Sequence, residues 1–305
     1  MIITKRWTIT LKNKIYGSMQ PQLDTFDNSA FYISDGWGSS YGSMRLRKIS
    51  FETGEELGSA VLRDGTRCVH INEDYIFAIL NKRIVKLNRS DMKVLHTYKK
   101  GVPFCADYLS ANQSNTLLLM NSMGNFLNIF NYQTETVKKK KVVECCGIEK
   151  MDEDHYLVFN FDSVLEYSLE KNRLKQLLNT GIYKNYVMGQ SGQIYFICQD
   201  DSKNETASRI IIYESIHKNK SRAIDPGIKF NNIQLSADEK LLYLYSYHGN
   251  SLSVYSLEEG KIVFEYMFPD CIVAIFDDLN VFITSNDIYR TDDPMTLTCW
   301  EFENS

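Results

Sequence analysis

Seven cysteines, five histidines and a few acidic clusters are the side chains of this chain with chemistry to offer. Cys68, Cys105, Cys145, Cys146 and Cys271 stand out because each opens a short apolar segment, and thiolates gathered there would hold a soft metal. No C-x-x-C pair and no regular ligand spacing occurs, so the thiols read as small buried hydrophobes and no metal or other cofactor is expected. His96, His155 and His217 fall in polar segments, and His70 is an isolated imidazole in an apolar one, placed to be a satisfied polar group rather than a general base. Asp152-Glu153-Asp154, Asp200-Asp201, Asp277-Asp278 and Asp292-Asp293 sit in turn-like stretches, where aspartate bonds its own backbone. Nucleophile elbow, zinc-helix, phosphate-loop and dinucleotide signatures are all missing, and Gly36-Trp37-Gly38 lacks the third glycine of a nucleotide loop. The residues therefore point away from catalysis.

Charge narrows the field further. The 34 basic and 38 acidic residues leave a formal −4, which gives no general attraction to nucleic acid or to an anionic membrane surface. One basic run, Lys138-Lys139-Lys140-Lys141, precedes Val142-Val143, and lysines on an exposed strand edge deter edge-to-edge aggregation. No apolar run approaches the roughly 20 residues of a membrane helix. The odd cysteine count and the missing signal-peptide pattern lead us to expect a cytoplasmic protein with reduced thiols.

What must position these residues is a repeat. An apolar residue, then an aromatic or aliphatic one, then a turn-opening residue recurs along the chain, ending at Ser50, Asn88, Asn131, Ser168, Glu214, Ser256 and Thr291. The intervals run from 35 to 46 residues, bracketing the roughly 40–45 residues of a four-stranded propeller blade. Ser50-Phe51-Glu52-Thr53-Gly54, Ser168-Leu169-Glu170-Lys171-Asn172 and Ser256-Leu257-Glu258-Glu259-Gly260 align as hairpin turns closed by a positive-φ residue, and Asn131–Glu135 is a fourth copy. Upstream of the marks lie apolar runs at 30–34, 75–80, 116–120, 156–161, 193–198, 241–247 and 281–284. Runs so short and so rich in branched and aromatic residues predict strands buried on both faces.

These units predict one all-β domain spanning 1–305, a seven-bladed β-propeller of four-stranded antiparallel blades. An open ring would expose a sheet edge, so the alternating segments 6–11 and 297–302 are expected to pair and close it. The segment 233–245 followed by 252–255 resembles a blade of the WD40-like and quinoprotein-like propeller superfamilies. The Gly-His and Trp-Asp dipeptides of WD40 blades do not occur, and Trp7, Trp37 and Trp300 are too few for the docking tryptophans of quinone propellers. The resemblance implies a fold and no residue roles.

In such a ring the loops between second and third strands share one face with the connections between blades. That places Trp37, Tyr41, Phe104, Met123, Tyr183 and His248 around one mouth, as aromatic anchors among glycines that suit a protein or peptide partner. We therefore expect a non-enzymatic protein-binding scaffold that engages neither nucleic acid nor membrane, of open oligomeric state. The alternative is an enzyme or small-molecule receptor, such as a lactonase-like hydrolase, with its site at the mouth of the axial channel.

Overall fold

The hydrophobic pattern dictates how the strands stack, because a strand whose two faces are both apolar must be covered on both sides. In the computed structural model that cover comes from neighbouring blades. The structure describes residues 2–11, 21–35, 44–99, 102, 106, 108–111, 115–121, 124–142, 145–183, 185–199, 208–246, 249–286 and 295–303.

After β1 (Ile2–Thr10), blade one comprises β2 (Gln22–Leu23), β3 (Ala30–Asp35), β4 (Arg45–Ser50) and β5 (Glu56–Val61). Blade two runs through β6 (Thr66–Ile71), β7 (Tyr75–Leu80), β8 (Ile84–Asn88) and β9 (Val94–Tyr98). Blade three holds β10 (Tyr108–Ala111), β11 (Thr116–Met120), β12 (Phe126–Asn131) and β13 (Thr136–Lys141). Blade four holds β14 (Cys145–Lys150), β15 (His155–Asn160), β16 (Ser163–Ser168) and β17 (Arg173–Asn179). Blade five follows with β18 (Asn185–Met188), β19 (Ile194–Gln199), β20 (Ser208–Ser215) and β21 (Lys218–Ile224). Blade six has β22 (Asn232–Leu235), β23 (Leu241–Tyr245), β24 (Ser251–Ser256) and β25 (Lys261–Met267). Blade seven takes β26 (Cys271–Phe276), β27 (Val281–Ser285) and β28 (Thr296–Glu303), and borrows β1 as its fourth strand.

Each seam between successive blades carries its own hydrophobic cluster, and the period of two along the second strands explains how. Phe31 and Ile33 of β3 face blade seven, whereas Tyr32 between them faces blade two. Leu117 and Leu119 of β11 face blade two, and Leu118 and Met120 face blade four. The same division carries round through blades four, five and six until Phe282 of blade seven meets Tyr243 of blade six. The fourth strand of blade six, wet on its outer side, alternates instead: β25 reads half-buried at every second residue. This is a seven-bladed propeller closed into a ring, as the sequence predicts.

Closure joins the two ends of the chain. β1 runs antiparallel to β28 in a register that pairs Trp7 with Cys299, Thr8 with Thr298 and Ile9 with Leu297. Cys299 and Leu297 lie in the cluster that also holds Phe31 and Phe51 of blade one. The last seam is thus built like the other six.

The small polar residue at five repeat marks, Ser50, Asn88, Asn131, Ser168 and Ser256, caps the turn it opens, and in blade five Ser215 does so one residue after the mark. Ser50 Oγ accepts the amide hydrogens of Glu52 and Thr53, and Asn88 and Asn131 do the same through Oδ1. Gly54, Asn172 and Gly260 take the positive φ expected of them, but Met92 (59°) and Glu135 (54°) take it in blades two and three without a glycine. The seventh mark falls elsewhere than predicted. Residues 288–291 lie outside the described residues and upstream of β28, so they do not end the third strand. The bond that follows the mark in blades one, two, three, four and six, such as Phe51 N–H to the Ser29 carbonyl and Leu257 N–H to the Lys240 carbonyl, recurs as Phe302 N–H to the Asn280 carbonyl. That sets the seventh mark at Glu301. No turn follows it, because the fourth strand arrives from the other end of the chain. Among the described residues no helix is long and apolar enough to cross a membrane.

Candidate functional site

First strands all run in one direction along the axis, which gives the ring two chemically different mouths. One is edged by the turns between second and third strands and by the inter-blade connections; the other by the turns between first and second strands. Trp37, Tyr41, Phe104, Met123 and His248, predicted at the first mouth, lie outside the described residues, as does Cys105.

Tyr183 is described, in the connection from blade four to blade five, and it turns inward. It is 2% exposed, its ring lies 4.5 Å from that of Phe196, and its hydroxyl meets Cys146 Sγ at 3.2 Å. Burial first, then the neighbouring Cys146, pushes its phenol far above the ordinary range, so it stays protonated. Ile182 of the same connection is 74% exposed, and Phe161, in the turn between the second and third strands of blade four, is 40% exposed. Backbone bonds join the connection to that turn: Tyr183 N–H donates to the Phe161 carbonyl at 3.1 Å, and Thr180 N–H to the Asp162 carbonyl at 2.8 Å. Scattered apolar side chains on a surface mean little, but two on hydrogen-bonded loops of one rim form the start of a patch.

The inner wall below Tyr183 is packed rather than reactive. Tyr186 lies flat on Phe159, centroids 3.8 Å apart, and its hydroxyl donates to Glu149 at 3.1 Å. Gly147 makes that possible, since a Cβ there would come within 1.9 Å of the Tyr186 hydroxyl. Burial raises the Glu149 carboxyl, with the Tyr186 bond pulling the other way. His70 stacks on Phe77, and burial followed by the charge of Lys150 lowers its pKa, which favours the neutral imidazole. Burial likewise raises the thiols of Cys145, to about 12, and of Cys146. Among the described residues no three His, Cys, Asp or Glu side chains gather as metal ligands would.

The second mouth holds residues that sequence reasoning read as plain solvated turns. Asp152 fits that reading, its Oδ1 accepting from the amides of Asp154 and His155. Asp277 departs from it: the carboxylate reaches from blade seven to blade six, accepting from Ala237 N–H at 2.7 Å and from the Tyr243 hydroxyl. Glu239 of blade six reaches in turn to Ser191 N–H of blade five, at 2.8 Å. On the outer side of blades one and two, Asp24 is wholly buried and accepts from Tyr32 O–H, Lys48 and Arg89. The shared signal is an acidic residue shortly after a first strand, present in blades one, two, four, six and seven and missing from blades three and five. Between these turns lies a cavity of about 310 Å³, walled by blades five, six and seven with Leu23 of blade one opposite.

No family model matches the chain, and no curated protein matches it. Solved structures do. The WD40 domain of Pan2 from Neurospora crassa superposes with a TM-score of 0.71 at 7% identity, over 99% of this chain and 96% of that one. Hydrazine synthase from Kuenenia stuttgartiensis gives 0.68 at 10% identity, over 94% and 96%. BamB from Moraxella catarrhalis gives 0.57 at 9% identity, over 99% and 100%. At such identities the likeness is one of fold, and it agrees with the WD40-like blade pattern in the sequence.

Proposed function

We propose that the protein is a non-enzymatic scaffold that binds a protein or peptide at the mouth carrying the inter-blade connections. The observation that carries this reading is the exposure of Phe161 and Ile182 on that rim, on two loops joined by the Tyr183 N–H to Phe161 carbonyl bond. Exposed apolar groups on a rigid frame lose little entropy when a partner covers them, and aromatic anchors dominate the energetics of such contacts. Trp37, Tyr41, Phe104, Met123 and His248 belong to the same proposed surface by their place in the loop order. The WD40 and BamB propellers found by comparison support a scaffold at the level of fold only. A reducing cytoplasmic setting belongs to the proposal too, supported by the unbridged thiols of Cys145, Cys146, Cys198 and Cys299, each buried or half-buried.

The test is capture of tagged protein from its own host under mild crosslinking, wild type beside a Trp37→Ala/Phe104→Ala double variant. A partner held by wild type and lost by the variant is the expected result. A partner held equally by both would remove the binding surface from this mouth.

A further inference from the structure

The cavity at the second mouth carries an inference of its own, independent of the scaffold reading. Its lining carries two kinds of group: Val187 and Met188 of blade five and Phe276 of blade seven supply apolar surface, while Gln234, Glu239 and Asp278 supply oxygen acceptors. No Lys, Arg or His is among the described residues that line it. Glu239 and Gln234 are held in place from behind. Glu239 sits at φ +58° with its carboxylate over Gly189, where a Cβ would come within 2.8 Å, and its Oε1 is fixed by Ser191 N–H. Gln234 commits its amide nitrogen to the Ile275 carbonyl at 2.8 Å, which leaves its oxygen as an acceptor. Asp277 is occupied by Ala237 and Tyr243, so Asp278, exposed at the rim, is the carboxylate left for a guest.

We propose that this cavity binds the ammonium or guanidinium end of an alkyl chain, presented by a lysine or arginine side chain of a peptide or by a small free amine. Acceptors without a cationic partner in the wall favour a donor-only guest and repel an anion. Val187, Met188 and Phe276 offer apolar surface to the methylene stem of such a guest, as apolar surface does for the stems of long cationic side chains. A volume of about 310 Å³ suits one such chain.

Calorimetric titration of the full chain tests this with n-butylammonium chloride, butanol and butyrate, and with capped lysine and arginine tripeptides. Butylammonium is expected to bind while butanol and butyrate do not. Asp278→Asn should weaken it by roughly tenfold or more, as loss of one charge-assisted bond implies, without moving the ligand-free melting temperature. Val187→Phe, which adds bulk at that apolar surface, should abolish binding. Tighter binding of a capped peptide assigns the guest to a protein side chain, and tighter binding of the free amine assigns it to a small molecule; both support the site. Absence of amine binding, equal binding of butanol, or undiminished binding by both variants would overturn it.

Discussion

The indole N–H of Trp7 donates to the carbonyl of Phe51 at 2.8 Å, so a residue at the start of the chain is bolted across the closing seam to the first blade's outer turn. The contact is close enough that only glycine fits opposite: a Cβ on Gly54, at φ +75°, would come within 2.8 Å of the indole. Ring closure therefore depends on β1 for its backbone pairing with β28 and for this cross-seam bond. Trp7→Phe should lower stability by about 1 kcal/mol, the worth of one hydrogen bond. Deleting residues 1–11, which strips the edge of blade seven, should lower the melting temperature far more. An unchanged melting temperature after the deletion would contradict the closure described here.

A pH dependence follows from Asp24. Burial alone would raise its carboxyl, but the bonds from Lys48 and Tyr32 and the charge of Lys48 outweigh burial and hold it below the ordinary aspartate value. A folded-state pKa below the unfolded one gives stability that is complete above about pH 4 and is lost as pH falls through the depressed value. Asp24→Asn should thus cost about 3 kcal/mol near neutrality, because Lys48 and Arg89 lose their buried partner. The gap between variant and wild type should narrow below about pH 4 in denaturant titrations. A gap that stays constant down to strong acid would count against this reading.

Gly147→Ala asks whether the inner wall is as tightly fitted as the distances say. The new methyl would collide with the Tyr186 hydroxyl and with its Cζ and Cε1, so the ring must leave Phe159 and Glu149 must lose its donor. Overpacking of this kind costs about 1–3 kcal/mol. Gly147→Ala/Tyr186→Phe should recover little, because Cζ and Cε1 also lie 2.5 and 2.6 Å from the new methyl, whereas Gly147→Ala/Tyr186→Val should recover more; full recovery with phenylalanine in denaturant titrations would contradict this fit.

Lys138, Lys139 and Lys141 stand exposed along β13, the outer edge of blade three, and Lys140 crosses to the Asn172 carbonyl of blade four at 2.7 Å. Replacing the three exposed lysines by valine should leave the folded protein intact yet raise light scattering during refolding, since a flat apolar edge invites pairing with other chains. Equal scattering would remove the protective role of the run.

The sequence made the second strands legible because burial on two faces leaves an unmistakable apolar run: β7 and β11 begin and end where the pattern does. It misplaced the seventh mark for a physical reason. Residues 288–291 copy the residue types of a strand end, whereas the actual end at Glu301 needs no turn-capping residue. Positive φ at Met92 and Glu135 was unreadable because the surrounding blade, rather than the side chain, imposes it. Loop order could set Tyr183 at the correct connection but not tell its inward turn from the outward one of Ile182. The second mouth escaped entirely, since Gly189, Gln234 and Asp278 meet only once three blades are in place.

The scaffold reading is tested most directly by amide hydrogen exchange on the full chain, alone and with its captured partner. Binding at the connection face predicts new protection at segments 36–43, 102–107, 121–125, 160–163, 181–185 and 247–250, centred on Phe161 and Ile182. Protection confined instead to the turns at 72–74, 151–154, 189–193, 236–240 and 277–280 would contradict it and move the partner to the opposite mouth.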